Sequence, residues 1–164
     1  MENVEIDTLR AGDIDGVLAL QEANQADYGG TLSARMPRTF FMAALDGMPV
    51  IVARREGRVV GFLVSSPKHP RPEAPVIRAM LSAWPGGDDA YSYGPICVAA
   101  EERGRGLAAA MFAALRARLP GREGILFIRT DNTASLRAHA KMGMRQVASF
   151  EHGGATMLVL AYVG

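Results

Sequence analysis

Between a β-rich run that ends near Val98 and a long helical pattern, the chain places Arg103-Gly104-Arg105-Gly106-Leu107-Ala108. No other feature restricts the fold as much. Glycines at a strand-to-helix turn let the backbone adopt conformations closed to other residues and approach a ligand without Cβ interference. The helix is read over 105–119, with Leu107, Met111, Leu115 and Leu119 recurring at i+4, Ala108 and Phe112 beside them, and Pro120-Gly121 as a stop. Gly124 to Thr130 then reads as another strand. A strand, turn, helix, strand order demands a crossover connection, so the two strands are expected to be parallel neighbours in one sheet.

The remaining pattern builds outward from this unit. Val4 to Leu9 carries a weak strand alternation. Asp13 is placed to cap a helix whose Ile14, Val17, Leu18 and Gln21 share a face, with Leu20 flanking, up to about Asn24. Asp27 to Thr31, with Tyr28-Gly29-Gly30, reads as a loop, and Leu32 to Leu45 as a weaker helix interrupted by Pro37. Val50 to Arg55 and Arg58 to Ser65 flank Glu56-Gly57 and predict an antiparallel hairpin. From Ser66 to Ala90 five prolines (Pro67, Pro70, Pro72, Pro75, Pro85) surround a helical stripe of Val76, Ile77, Met80, Leu81 and Trp84. That stripe must be buried, either as a lid over the acceptor side or against a partner subunit. A helix over Thr133 to Met142 ended by Gly143, then a hairpin of Arg145 to Phe150 and Thr156 to Tyr162 around His152-Gly153-Gly154, complete the chain. Without repeats or linkers, residues 1–164 are expected to form one α/β (α+β) domain around a central, mixed but mostly antiparallel sheet flanked by helices.

Composition narrows the function classes. In 164 residues, 49% apolar content with a mean hydropathy of +0.07 suffices for one core. Eighteen Lys plus Arg against seventeen Asp plus Glu leave a net charge of +1, so no global field draws the protein onto nucleic acid or an anionic membrane. Cys97 has no intramolecular partner, and His69, His139 and His152 are too scattered for a zinc site, so no metal is expected. The opening residues lack a basic stretch followed by an apolar run, and no segment approaches the roughly eighteen apolar residues of a membrane span. A cytoplasmic location is the expectation.

The glycine turn is also where ligand chemistry is expected. A helix N-terminus offers unpaired N–H groups and a positive dipole, which suit a diphosphate, and Arg103 and Arg105 add local charge. Two glycines in a turn also serve purely structural needs. The segment lacks the Gly-x-x-x-x-Gly-Lys-Ser/Thr of a P-loop, and the third glycine and downstream acid of a dinucleotide-binding unit.

The segment does resemble the Arg/Gln-x-x-Gly-x-Gly/Ala signature of the GNAT superfamily of acyl-CoA N-acyltransferases, at Arg103, Gly106 and Ala108. Val98 stands five residues before Arg103, as in that pattern. Asn132-x-x-Ser135 and Lys141-Met142-Gly143-Met144 resemble the family's downstream Asn-x-x-(Ala/Ser) and Gly-Phe segment. The likeness covers roughly residues 91 to 147. It implies the GNAT fold, with a sheet splayed between strands 4 and 5, and acetyl-CoA as co-substrate. By that resemblance the Ile96, Cys97 and Val98 backbone pairs with the pantetheine arm. The amides of Arg103, Gly104, Arg105, Gly106, Leu107, Ala108 and Ala109 hold the pyrophosphate, and Asn132 and Ser135 contact the coenzyme. A β-branched residue at 106 is then expected to block the diphosphate while sparing the fold. Transfer is direct in the family, so Cys97 is read as inert packing and no acyl-enzyme is expected. A backbone N–H near Val98 would polarise the thioester carbonyl.

Two positions depart from the family. Where many members place a tyrosine as general acid, four residues before the glycine, this chain has His139, whose imidazole has a reference pKa near ~6.5 against ~10 for a phenol. The plain alternative is a helix-surface histidine. Where some N-terminal acetyltransferases carry a glutamate base, this chain has Phe127. An alkylammonium must still lose a proton before it attacks. Candidates are Glu22, Asp27, Tyr28, Asp88, Asp89, Tyr91 and Tyr93, of which Tyr91 and Tyr93 share a strand face. His139, Tyr91, Tyr93 and Glu22 form the catalytic set expected. The expected acceptor is a small-molecule amine. A protein lysine or N-terminus, or a non-catalytic acyl-CoA-binding module, are the alternatives, and family members often form homodimers.

Overall fold

The computed structural model describes residues 3–25, 35–69 and 74–164. Asp27, Tyr28, the glycines of that loop, Leu32, Pro70 and Pro72 lie outside the described residues. The chain divides into two compact units, one holding the chain up to Ser65 together with Gly94–Leu119, the other Ser66–Tyr93 and Pro120–Gly164.

The first unit contains β1 (Val4–Thr8), α1 (Ile14–Ala23), α2 (Arg38–Ala44), β2 (Val50–Arg55), nearly all of β3 (Arg58–Pro67), the later half of β4 (Tyr91–Val98) and α4 (Leu107–Arg118). β1 pairs antiparallel with β2, and β2 with β3. The expected hairpin is present, turned by Glu56 and Gly57 at φ 52° and 79°, the paired left-handed conformation that matches strand twist. Val50, Ile51, Val52 and Ala53 are all buried, so β2 is covered on both faces, which explains a continuous apolar run in place of an alternation. Ile14, Val17, Phe41, Val50, Val52, Phe62, Val64 and Cys97 form the core cluster under α1 and α2, and α4 packs on β1 and β2. Pro37 starts α2 rather than interrupting it, because its ring fits ahead of the first turn and not inside a helix.

Asp13 stands at the N-cap of α1, but its side chain makes no capping bond. A 3-10 turn at Ala11–Asp13 precedes that helix, and the buried Asp13 carboxylate accepts from the Arg10 amide at 2.8 Å, from Arg54 Nε at 2.7 Å and from a second Arg54 nitrogen. Arg54 also donates to Glu5 and to the Thr8 carbonyl. Burial works against ionisation of Asp13, but the Arg54 and Arg10 hydrogen bonds outweigh it and hold the carboxyl below its ordinary pKa.

The second unit contains α3 (Pro75–Ala83), the start of β4, β5 (Glu123–Arg129), α5 (Thr133–Lys141), β6 (Arg145–His152) and β7 (Ala155–Val163). β4 and β5 are parallel neighbours, as the crossover requires, through Tyr91 with Gly124 and Ser92 with Ile125. β7 lies between β5 and β6 and pairs antiparallel with both. The stripe of α3 is buried within this unit. Met80 and Leu81 join Ala90, Ile125 and Val159 in a core, with Ile77, Trp84, Phe127, Val147 and Phe150 packed around it. Trp84 Nε1 and the Gly87 amide donate to the two oxygens of Glu123, at 2.9 and 2.7 Å. The segment read as a lid or a partner surface is thus part of the unit's own core, since its apolar face already has a sheet to cover.

Gly124 faces Tyr162 in the β5–β7 register, and a Cβ there would overlap the Tyr162 ring. Gly124→Ala is therefore expected to displace Tyr162 and cost about 1–3 kcal/mol in chemical denaturation, the range for overpacking. Wild-type stability in that variant would show that the ring is not held over the glycine.

Candidate functional site

The first group of site residues is assembled by the end of β4 and the start of α4. After Val98 the chain makes a 3-10 turn at Ala100–Glu102, then runs through Arg103 to Gly106, the residue that caps α4. Gly104 and Gly106 sit at φ 78° and 82°, a region that an L side chain rarely adopts, so here the glycines are required by backbone conformation. A Cβ at Gly104 would meet nothing within 4 Å, so the turn borders open space. The N–H groups of Leu107, Ala108 and Ala109 open the helix and have no acceptor within it. Open space, a left-handed turn and unpaired amides together fit a diphosphate. The conformation also corrects the expectation for residue 106, because valine at φ 82° would strain the backbone and not spare the fold.

Ile96 and Val98 are half-buried and Cys97 is buried between them. Burial pushes the Cys97 thiol up to about 11 despite the opposing Arg103 charge, so it stays protonated and unreactive at neutral pH. Arg103 donates to Asn24 Oδ1 at 2.6 Å and lies 3.4 Å from the Val98 carbonyl, so its fork braces the turn. Arg105 is exposed and only 3.7 Å from Glu102. Glu102 itself is 3% exposed and gripped by Arg55 through bonds of 2.7 and 2.9 Å. The Arg55 hydrogen bonds, opposed by burial and aided by nearby Arg charges, keep that carboxyl ionised below its usual range. Asn24, Arg55 and Glu102 were not legible as site supports. The one signal was an acidic pair, Glu101-Glu102, directly before the glycine turn, where a buried carboxylate needs a compensating cation.

The second group lies in the other unit. Tyr93 Oη is 3.1 Å from His139 Nε2, and the two rings meet edge to face with centroids 5.5 Å apart. Tyr162 packs edge to face on Tyr93 at 5.9 Å and on Tyr91 at 6.2 Å, and its hydroxyl bonds that of Tyr91. Arg122 stands over the Tyr91 ring. Tyr91, Tyr93 and His139 are thus brought together, with Tyr162 as the member that sequence reasoning missed. His139 is 4% exposed, which removes the helix-surface reading. Its Nδ1 is 2.7 Å from the Ser135 carbonyl, an acceptor only, so Nδ1 carries the proton and neutral Nε2 accepts from Tyr93. Burial lowers the His139 pKa, with the Ser135 carbonyl opposing, and burial together with the charge of Tyr91 raises that of Tyr93.

The other expected residues are placed as follows. Asn132 Oδ1 accepts from the Ser135 amide and caps α5, a bond in which its Nδ2 takes no part. Phe127 packs against Phe150. Glu22 lies on the exposed side of α1, in the first unit, 3.3 Å from Arg35. Asp88 and Asp89 are exposed. Among the described residues no group of three acidic, His or Cys side chains is placed to hold a metal ion, and no helix is long and apolar enough to cross a membrane.

The Acetyltransferase (GNAT) family model matches residues 17–144, and the chain belongs to that family. Membership implies acetyl-CoA-dependent acyl transfer. Among solved structures, a GNAT-family acetyltransferase from Streptococcus agalactiae superposes with a TM-score of 0.74 at 16% identity, over 99% of this chain and 96% of that one. The protein yncA of Salmonella typhimurium, solved with its cofactor acetyl-CoA, gives 0.70 at 18% identity over 99% and 94%. Naa50 of Arabidopsis thaliana, in complex with the bisubstrate analogue CoA-Ac-MVNAL, gives 0.70 at 13% identity over 98% of both chains. At these identities the likeness establishes the fold, including its mixed sheet with flanking helices. No curated protein matches the sequence significantly.

Proposed function

We propose that the protein is an N-acetyltransferase that moves the acetyl group of acetyl-CoA directly onto the amine of a small molecule. The observation that carries this is the left-handed Gly104 and Gly106 turn, open beside Gly104 and leading into the amides of α4. In this reading the turn and the first residues of α4 bind the diphosphate, Arg105 supplies a cation beside it, and the Ile96 to Val98 backbone lies along the pantetheine arm. Cys97, buried and protonated, forms no acyl-enzyme. Tyr93 and His139 are the proton-transfer pair, and Tyr91 supports them through Tyr162.

A peptide amine is the second reading, favoured by the likeness to a protein solved with CoA-Ac-MVNAL. Thiol release from acetyl-CoA, measured across small amines and short peptides, separates the two. Turnover with small amines and not peptides is expected. Micromolar acetyl-CoA binding without release on any acceptor would leave only a coenzyme-binding module.

A further inference from the structure

We infer that Asn24, on α1, is a positioning residue for the coenzyme, whose neutral amide oxygen holds the Arg103 guanidinium at the glycine turn without cancelling its charge. This rests on the reading of that turn as the diphosphate site. Every residue involved belongs to the first unit.

The Asn24 amide is oriented by its own helix. Asn24 is buried at the C-terminal end of α1, and its Nδ2 donates to the Leu20 carbonyl at 2.9 Å. A carbonyl can only accept, so the amide oxygen is left for Arg103, which can only donate and does so at 2.6 Å. The last turn of α1 is fixed in turn by Gln21, also buried. Its side chain donates to the Met36 carbonyl at 2.9 Å and accepts from the Met36 amide at 2.8 Å. The acceptor for Arg103 is therefore in place before a ligand arrives. A long side chain that would lose rotamer freedom on binding is already ordered, which removes that cost from the affinity.

Charge sets Arg103 apart from its neighbours. Arg55 and Arg105 lie 2.7 and 3.7 Å from Glu102, and Arg58 lies 3.9 Å from Glu101. Those cations are offset by carboxylates. The partners of Arg103 are an amide oxygen and, at 3.4 Å, the Val98 carbonyl, both neutral, and among the described residues it forms no ion pair. Its field extends to β4, where it opposes the rise in the Cys97 pKa. An aspartate at position 24 would accept a stronger, charge-assisted bond, yet it would leave the guanidinium with no net charge to offer an anion. An amide orders the side chain and keeps the charge.

The test is acetyl-CoA affinity of the full chain by calorimetry between about 0.01 M and 1 M salt, across which exposed charges pass from weakly to strongly screened. Asn24→Asp should weaken binding roughly tenfold at the low end and converge with wild type at the high end. Asn24→Leu keeps the charge and frees the side chain, so it should lose roughly threefold at every salt concentration. Arg103 is exposed, so Arg103→Met should fold, and it should show the same flattened salt dependence as Asn24→Asp from the other end of the bond. An Asn24→Asp variant that binds as tightly as wild type at low salt would overturn the inference. So would losses in the two Asn24 variants that match at every salt, or an Arg103→Met variant with wild-type salt dependence, since a merely structural Asn24 has no charge signature. A wild type with no affinity for acetyl-CoA refutes the diphosphate reading itself, and the inference with it.

Discussion

Arg54→Met is expected to lower the unfolding free energy by about 3–5 kcal/mol, the range for removing one partner of a buried ion pair. Arg54 and Asp13 are 5% and 8% exposed at their side chains, and Arg54 ties Asp13 to Glu5 and the Thr8 carbonyl. The loss arises mainly from leaving Asp13 buried with only the Arg10 amide as donor. Asp13→Leu combined with Arg54→Met should therefore recover much of it, because no charge is then left unpaired. Acid dependence supplies a second readout. The folded Asp13 pKa lies below its unfolded value near ~3.9, so its stabilisation is complete above that value and is lost as pH falls through the lower folded one. In Arg54→Met burial is no longer outweighed, and the folded pKa rises above the unfolded one. The variant's deficit should then shrink as pH falls and Asp13 takes up a proton. A single variant within about 0.5 kcal/mol of wild type in chemical denaturation, the range of surface substitutions, would show that the pair does not hold β2 to the α1 entry.

Gly106→Val is expected to weaken acetyl-CoA binding by roughly 10²-fold, equivalent to about 2.7 kcal/mol. A β-branched side chain at φ 82° costs more than the roughly 1–2 kcal/mol of an ordinary left-handed residue, and it shifts the residue that leads into the α4 amides. Stability falls as well, so binding needs a control for strain. Gly121 provides it, just beyond the other end of α4, with φ 74° and nothing within 4 Å of the position a Cβ would take. Gly121→Val should lower the melting temperature comparably and leave coenzyme affinity near wild type by calorimetry. Equal affinities for the two variants would remove the diphosphate from the Gly104 to Gly106 turn.

The elements that were legible in the sequence are those with a local cause. The period of Leu107, Met111, Leu115 and Leu119 marks α4, the Glu56-Gly57 turn marks its hairpin, and the strand, turn, helix, strand order forces β4 and β5 to be parallel. The glycine turn was legible for the same reason, since its left-handed conformation is a property of a few consecutive residues. Boundaries slipped where a local signal had two uses, as with Pro37, which can interrupt a helix or begin one.

Partnership between distant residues was decided only by the tertiary structure. Asp13 offers a good cap by local rules, yet Arg54, 41 residues on, competes for its carboxylate and wins because a buried guanidinium needs that charge. The α3 stripe had to be buried, but only the fold shows that Ile125 and Val159 of its own sheet receive it. His139 has the same imidazole in any sequence. Its burial, its bond to the Ser135 carbonyl and its meeting with Tyr93 from a different element decide which nitrogen carries the proton. Sequence by itself determined the turn, the helix and the family they belong to, because those follow from neighbours along the chain. Which charges are paired and which ring nitrogen carries a proton depend on neighbours in space, and those exist only once the chain has folded.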